Sequence, residues 1–177
     1  MRLFIAINFD EVTKEKLIAI QNKLKVCSTG NFSKPENLHL TILFLGEVED
    51  YVQVIKCINA HFNKLIELSF YKTGNFNNNI YWVGIRHNPV LNELYSNICN
   101  DLIKDGFNIY QNKRFTPHVT LGRKVSLTAK PNLLFEEFSM TATRVSLMES
   151  LRINGKLMYK EIFGKSVPLI TPFPSIT

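Results

Sequence analysis

Two short segments of the same form constrain this chain more than any other feature. His39-Leu40-Thr41 and His118-Val119-Thr120 each place a histidine two positions before a threonine, and apolar residues follow both segments. Side chains alternate between the two faces of a strand, so the histidine and threonine of each segment share one face and the residue between them turns to the other. The sequence therefore predicts two strands that each carry an imidazole beside a hydroxyl on one surface.

The two segments lie at matching places in a weak internal repeat. The apolar run that begins at Arg2 precedes His39 by nearly the same number of residues as the run that begins at Ile80 precedes His118. Each interval contains a strand, an amphipathic helix, a loop and a second strand that opens with the histidine. A repeat of this kind predicts two structurally similar halves. The alternative is a coincidence of element lengths, because strand–helix–strand units of this size are common.

The remaining patterns predict an alternation of strands and helices. Asp10 and Asn88-Pro89 are typical of helix N-termini, Gly106 of a helix end, and Asn154-Gly155 of a two-residue hairpin turn. We expect loops at 28–37 and 74–79. The predicted helices span 10–26, 49–65 and 88–106, and the predicted strands span 2–9, 39–45, 68–72, 80–86, 118–122, 145–153 and 157–163.

Composition bounds the class of protein. A chain of 177 residues fits one domain, or two small lobes with a common core. The net charge of +6 suits a polyanionic partner such as RNA, but many proteins without such a partner are equally basic. Three widely spaced cysteines support neither a disulfide framework nor a zinc ribbon. The apolar run 3–9 is too short for a signal peptide, and no stretch is long enough to span a membrane, so we expect a cytoplasmic protein with no membrane partner.

The residue types at the two segments suit proton transfer to and from a phosphoester. An imidazole titrates near pH 6.5, so one histidine can take a proton from water while another supplies one to a leaving oxygen. The two imidazoles must lie on opposite sides of the phosphorus, which two related halves provide. Threonine hydroxyls can donate hydrogen bonds to the non-bridging oxygens. This scheme requires no metal.

The segments around the two histidines, together with segments near both termini, resemble the 2H phosphoesterase superfamily. The resemblance is to its RNA 2′,3′-cyclic phosphodiesterase branch in particular, historically called 2′-5′ RNA ligase. The similarity spans nearly the whole chain. The two histidine-centred blocks are highly specific, and the terminal blocks support them. The matching segments are Arg2-Leu3-Phe4-Ile5-Ala6, Glu36-Asn37-Leu38-His39-Leu40-Thr41 with Phe44-Leu45-Gly46-Glu47, Phe115-Thr116-Pro117-His118-Val119-Thr120-Leu121-Gly122-Arg123, and Leu147-Met148-Glu149-Ser150 with Gly155 and Tyr159.

The resemblance implies an α+β fold in residues 1–177, a single bilobal domain whose two pseudo-twofold-related lobes of mainly antiparallel sheet carry outer helices and enclose a central cleft. It implies hydrolysis of an RNA-terminal 2′,3′-cyclic phosphate to a 2′-phosphate, without a cofactor. His39 would be the proton donor and His118 the proton acceptor, although from sequence the two sites are nearly equivalent. Thr41, Thr120 and Arg123 would bind the phosphate. The expected partners are RNA ends with a cyclic phosphate, tRNA fragments among them, or nucleotides, and we expect a monomer.

Arg123 raises a geometric difficulty. In a regular strand it points away from the face that His118 and Thr120 share, so a bulge or strand end at Gly122 must turn it inward. A solvated surface arginine is the alternative. The basic residues Lys34, Lys113, Arg114, Arg123 and Lys124 flank the motifs and could form a rim that contacts RNA phosphates.

The other candidate residues have structural interpretations. We expect Phe44, Phe115 and Trp82 in the core, with ligand stacking as the alternative, and His61 and His87 at the surface. Glu36 and Glu47 flank the first motif, but their spacing matches no familiar ligand pattern, so we expect no metal.

Two other functions remain open. The same histidines could act on 2′-5′ oligonucleotides or on small cyclic phosphates. Alternatively, the chain could be a non-catalytic RNA-binding module that keeps a basic cleft, although the intact double motif argues against that.

Overall fold

The computed structural model of the protein describes residues 1–109 and 115–169. Within these ranges it has nine strands, three α-helices and one short 3₁₀ turn. In chain order the elements are β1 Arg2–Asn8, α1 Glu11–Lys25, β2 Ser28–Phe32, the 3₁₀ turn Pro35–Asn37, β3 His39–Glu47, α2 Val52–His61, β4 Ile66–Phe76, β5 Ile80–Ile85, α3 Pro89–Lys104, β6 His118–Leu127, β7 Phe138–Ala142, β8 Arg144–Ile153 and β9 Lys156–Ser166.

The strands form two antiparallel sheets. The first sheet has the order β3-β1-β8-β9, and the second has the order β2-β6-β5-β4-β7. The predicted α+β fold with two sheets and outer helices is therefore confirmed. In the first half, β1 pairs antiparallel with β3, which begins at His39. In the second half, β5 pairs antiparallel with β6, which begins at His118. In each half one α-helix lies between the two paired strands in the sequence.

Both sheets contribute to one hydrophobic core. Ile5 of the first sheet and Val83 of the second belong to the same buried cluster, together with Leu17 of α1 and Leu94 of α3. The helices bury their apolar faces here because leucine and isoleucine recur at helical spacing. The opposite face of the first sheet carries a smaller cluster in which Tyr159 packs on Phe4, Ala6 and Met148.

The predicted helix and hairpin signals agree with the structure. The carboxylate of Asp10 accepts a hydrogen bond from the backbone N–H of Thr13, and the side chain of Asn88 accepts one from Leu91. Gly106 follows α3 with a φ of +87°, a conformation that costs glycine little. Asn154-Gly155 forms the turn between β8 and β9.

The structure differs from the predicted elements at four places. The segment 28–37 is not all loop, because β2 adds to the edge of the second sheet by pairing with β6. The strand β7 was missed, and the second helix is shorter than 49–65. The connection 74–79 is also shorter, since β4 continues to Phe76 and the turn is made by Asn77 and Asn78, both with positive φ. In the part of the chain that the structure describes, no helix is long and apolar enough to cross a membrane.

The three cysteines are free thiols, with Cys57 and Cys99 buried and Cys27 partly so.

Candidate active site

The two histidine strands contact each other and line one open cleft of about 1210 Å³. All five site residues predicted from the sequence line this cleft, namely His39, Thr41, His118, Thr120 and Arg123. In each strand the histidine and threonine are half-buried while the residue between them is buried. The same-face geometry expected from strand alternation is therefore confirmed.

His39 is held at both ring nitrogens. Its Nδ1 lies 2.8 Å from the carbonyl oxygen of Asn37 and its Nε2 lies 2.9 Å from the hydroxyl of Thr41. A carbonyl can only accept, so Nδ1 carries the hydrogen. In the neutral ring Nε2 is then an acceptor, and the hydroxyl of Thr41 donates to it.

His118 repeats the first of these contacts. Its Nδ1 lies 2.7 Å from the carbonyl oxygen of Thr116, which fixes the same tautomer. Among the described residues, no protein group bonds to the Nε2 of His118. The two imidazoles therefore present equivalent nitrogens to the cleft, one against a threonine hydroxyl and one open.

Both imidazoles are hard to protonate within the cleft. Burial lowers the pKa of His39 to about 4. The hydrogen bond to Asn37 opposes this effect, and the positive charges of Arg123 and of protonated His118 add to it. Burial and the charge of Arg123 also lower the pKa of His118.

An aromatic ring stands perpendicular to each imidazole. The ring of Tyr159 meets His39 with centroids 5.1 Å apart at 89°, and the ring of Phe76 meets His118 with centroids 5.0 Å apart at 83°. These rings limit rotation of the imidazoles. Sequence reasoning missed both as parts of the site, although Tyr159 lies in one of the matched blocks.

The bulge needed to turn Arg123 inward is present, one residue earlier than expected. Along the pairing of β5 with β6, Trp82 faces Thr120 and Tyr81 faces Gly122, so Leu121 is the extra residue. This extra residue reverses the alternation of side chains between the two faces of β6, so Arg123 lines the cleft together with Thr120. The positive charge of Arg123 then reaches both histidines. Burial raises the pKa of Tyr159, and the charge of Arg123 offsets part of that rise.

A buried glutamine supports this bulge. The Nε2 of Gln21 in α1 donates hydrogen bonds to the carbonyl oxygens of Leu121, at 2.8 Å, and Ser33, at 2.7 Å. Gln21 is 1% exposed. The residue was missed from sequence, but its signal is readable, because it is a polar residue on the helix face that Leu17, Ile20 and Leu24 make apolar.

Phe44 is not in the core, contrary to expectation. Ile42 is an extra residue in the pairing of β3 with β1, so the alternation reverses and Phe44 turns into the cleft with 64% of its surface exposed. Phe115 is half-buried and stacks on Tyr95 at the cleft wall, with centroids 4.2 Å apart. Trp82 is buried, as expected, and its ring covers Gly74, which leaves no room there for a Cβ.

The charge of the cleft is one-sided. The described residues that line it include five cationic side chains and no carboxylate, although the whole chain has 15 acidic residues. The cations are Lys34, Arg123, Lys124, Arg152 and Lys156. Three belong to the predicted rim; Lys113 and Arg114 lie outside the described residues, and the two from the β8–β9 hairpin were not anticipated.

The other histidines lie away from the cleft. His87 is exposed, as expected. His61 is half-buried, because its Nε2 lies 2.7 Å from a carboxylate oxygen of Asp101 and joins α2 to α3. Within residues 1–109 and 115–169, no three side chains of histidine, cysteine, aspartate or glutamate come together as a potential metal-binding group.

The two antiparallel sheets and the cleft between β3 and β6 agree with the fold expected from the resemblance to the 2H phosphoesterases. Among solved structures, the chain resembles Escherichia coli LigT complexed with 3′-AMP, with a TM-score of 0.80 and 24% identity over 95% of this chain and 98% of that one. TT0787 of Thermus thermophilus gives a TM-score of 0.76 with 20% identity, over 94% of this chain and 98% of that one.

Sequence comparison narrows the class. The model of the 2′-5′ RNA ligase superfamily matches residues 15–154, and the chain belongs to that family. An RNA 2′,3′-cyclic phosphodiesterase of Archaeoglobus fulgidus is 33% identical over 70% of this chain and 72% of its own. The protein of the same name from Thermotoga maritima is 30% identical over 83% of this chain and 82% of its own.

Proposed function

We propose that the protein hydrolyses RNA-terminal 2′,3′-cyclic phosphates to 2′-phosphates by acid–base catalysis with two histidines and without a metal. One observation carries the proposal: His39 and His118 line the same cleft. The described residues of that cleft include five cationic side chains and no carboxylate. The names of the relatives support the same reaction class.

The proposed reaction needs one proton accepted and one donated. The Nε2 of His118 takes a proton from water as the water oxygen bonds to phosphorus, and the bond from phosphorus to O3′ breaks. The protonated Nε2 of His39 gives its proton to O3′, so the products are a 2′-phosphate and a 3′-hydroxyl. Both rings can exchange at Nε2 because their Nδ1–H groups are committed to backbone carbonyls.

The assignment of acid and base rests on different observations. His118 suits the base, because no described protein group occupies its Nε2 and burial keeps the ring neutral. His39 is assigned as the acid through the family resemblance. Its pKa of about 4 does not favour the protonated form, so the negative charge of the bound phosphate must raise that pKa.

The phosphate is proposed to lie between the two rings. Thr41 and Thr120 flank the histidines and can donate hydroxyl hydrogens to the non-bridging oxygens as negative charge redistributes. Arg123 offers a guanidinium that can bind two oxygens at once. The remaining cations of the cleft fit further phosphates of an RNA strand.

An assay on RNA that ends in a 2′,3′-cyclic phosphate tests the proposal, in excess EDTA and with the product isomer identified. We expect a 2′-phosphate product with the metal chelated. His39→Ala and His118→Ala should each lower turnover by at least ~10²-fold. His87→Ala is the matched control, since it removes an exposed imidazole outside the cleft, and it should keep full turnover.

Each alternative predicts a different result. Loss of activity on chelation would contradict the metal-free mechanism, and a 3′-phosphate product would contradict cleavage at O3′. Full activity in either histidine variant would remove that residue from the chemistry. RNA binding without turnover would indicate a non-catalytic binding module.

A further inference from the structure

His118 lies in a triangle of three aromatic rings. Its ring centroid is 5.0 Å from that of Phe76 and 6.1 Å from that of Trp82, and the centroids of Phe76 and Trp82 are 5.3 Å apart. Trp82 is the third residue of β5, as Phe4 is the third residue of β1, and Phe4 lies 5.0 Å from His39. The opening strand of each half therefore supplies the buried ring that lies next to the histidine of that half.

Two glycines make room for the indole of Trp82. Gly74 of β4 pairs with Trp82, and a Cβ on Gly74 would lie 2.3 Å from the indole. Gly84 pairs with His118, and a Cβ on Gly84 would lie 3.1 Å from the same ring. Neither glycine has a positive φ, so the close approach of the ring and not the backbone conformation accounts for them. The indole occupies the space that a side chain at position 84 would fill, directly across from His118.

The indole is placed by packing and not by its polar atom. Among the described residues, the Nε1–H of Trp82 is the only buried side-chain donor or acceptor without a hydrogen-bond partner in the protein. An unpaired buried donor costs stability, and folded proteins rarely contain one. A phenylalanine, as at the equivalent position of β1, would avoid that cost but would fill less space. The wide ring surface is therefore the property that this position requires.

We propose that Trp82 is a positioning residue for His118, whose imidazole it holds in the plane and at the depth from which Nε2 can take a proton from water. The inference rests on the proposed function, because it takes His118 as the base. The hydrogen bond from Nδ1 to Thr116 determines which nitrogen faces the cleft, and the rings of Trp82 and Phe76 fix the imidazole in place. Trp82 is not among the described residues that line the cleft, so it acts through His118.

A double-mutant cycle separates the positioning of His118 from a general disturbance of the fold. With adenosine 2′,3′-cyclic phosphate, we expect Trp82→Leu to lower kcat by about 10-fold and to leave KM nearly unchanged. In a His118→Ala protein the same substitution should lower kcat by less than about twofold, because no imidazole remains to be positioned. A general disturbance would lower kcat by the same factor in both proteins. Trp82→Phe keeps a ring and should lose less than about threefold.

Gly74 offers a second variant that displaces the indole without removing it. Gly74→Ala puts a methyl group where the ring lies, so it should lower kcat and shift the fluorescence emission of Trp82, the only tryptophan of the chain. Added to Trp82→Leu it should cost little more, because leucine lacks the ring atoms that contact position 74. Phe62→Leu is the matched control, since it shortens a buried ring outside the cleft and should leave kcat unchanged.

An equal loss with and without His118, or no loss in Trp82→Leu, would overturn the inference. If the wild-type protein hydrolyses no cyclic phosphate, the proposed function is wrong, and NMR of the imidazoles still tests the placement. The Nδ1–H of His118 should then be protected from exchange in the wild type and lose that protection in Trp82→Leu, while the Nδ1–H of His39 keeps it. Unchanged protection at His118 would refute the role of Trp82.

Discussion

The ring of Tyr159 stands at 89° to the imidazole of His39, and the two centroids are 5.1 Å apart. Tyr159 is fixed in turn by Phe4, whose ring it meets edge-on at 4.9 Å. His39 therefore cannot rotate about its side-chain bonds without displacing a packed aromatic pair. Hydrogen bonds set which nitrogen of His39 faces the cleft, and these rings set the plane in which it does so.

This contact predicts that Tyr159 is a positioning residue whose ring matters more than its hydroxyl. Tyr159→Leu should lower kcat on a cyclic phosphate by about 10-fold, because a misaligned imidazole transfers its proton poorly. Tyr159→Phe keeps the ring and should recover at least half of the wild-type kcat. Steady-state kinetics with both variants decide the matter, and a Phe variant as impaired as the Leu variant would assign the role to the hydroxyl.

The acid and base can be told apart by changing the leaving group. With a p-nitrophenyl phosphodiester the leaving phenolate needs no proton, so loss of the general acid costs little. We expect His39→Ala to approach wild-type turnover of this compound within about 10-fold, while His118→Ala stays at least ~10²-fold impaired. The reverse pattern would exchange the two roles.

The charge of Arg123 predicts a shift in the pH profile. Both histidine pKa values lie below the ordinary 6.5, partly because of this charge, so the optimum of kcat/KM for the free enzyme should lie below pH 6.5. Arg123→Met removes the charge, both pKa values rise, and the optimum moves to higher pH. Lys124→Met removes an equal charge from the neighbouring position and should leave the optimum in place. Profiles measured at fixed ionic strength check this, and an unmoved optimum in the Arg123 variant would contradict it.

Gln21 predicts a coupling between a helix and the site. Gln21→Leu leaves the carbonyl of Leu121 without one of its donors, although the backbone N–H of Ser33 still reaches it at 2.9 Å. We expect the free energy of unfolding to fall by about 1–3 kcal/mol. Asn22→Ala, one position along on the exposed side of α1, should change it by less than about 0.5 kcal/mol. Denaturant titration measures both, and equal effects would show that the buried amide contributes nothing particular.

The fold was readable from sequence wherever local chemistry and hydrophobic period agree. The caps at Asp10 and Asn88 and the Asn154-Gly155 turn are local signals, and all three predictions are confirmed. The strand β2 gave no such signal, because its residues Ser-Thr-Gly-Asn-Phe are at most half-buried and become a strand only by pairing with β6. Edge strands of this kind depend on a distant partner that composition does not reveal.

The side-chain directions in the cleft were only half readable. Strict alternation correctly put each histidine beside its threonine, but it misdirected Phe44 and left Arg123 undecided. Both outcomes follow from single extra residues, Ile42 and Leu121, which interrupt the period of two. The adjacent apolar pair Ile42-Leu43 is the trace that such a bulge leaves in the sequence, since a regular half-buried strand would not bury two neighbours.

The strand β2 has a consequence for how the chain is put together. It comes from the first half of the sequence but completes the second sheet, next to the strand that carries His118. The two halves of the chain are thus interlocked and do not simply follow one another. If the gene were cut at its midpoint, each fragment would lack strands that the other fragment provides. Two such fragments should remain unfolded when made separately and regain the fold only when expressed together.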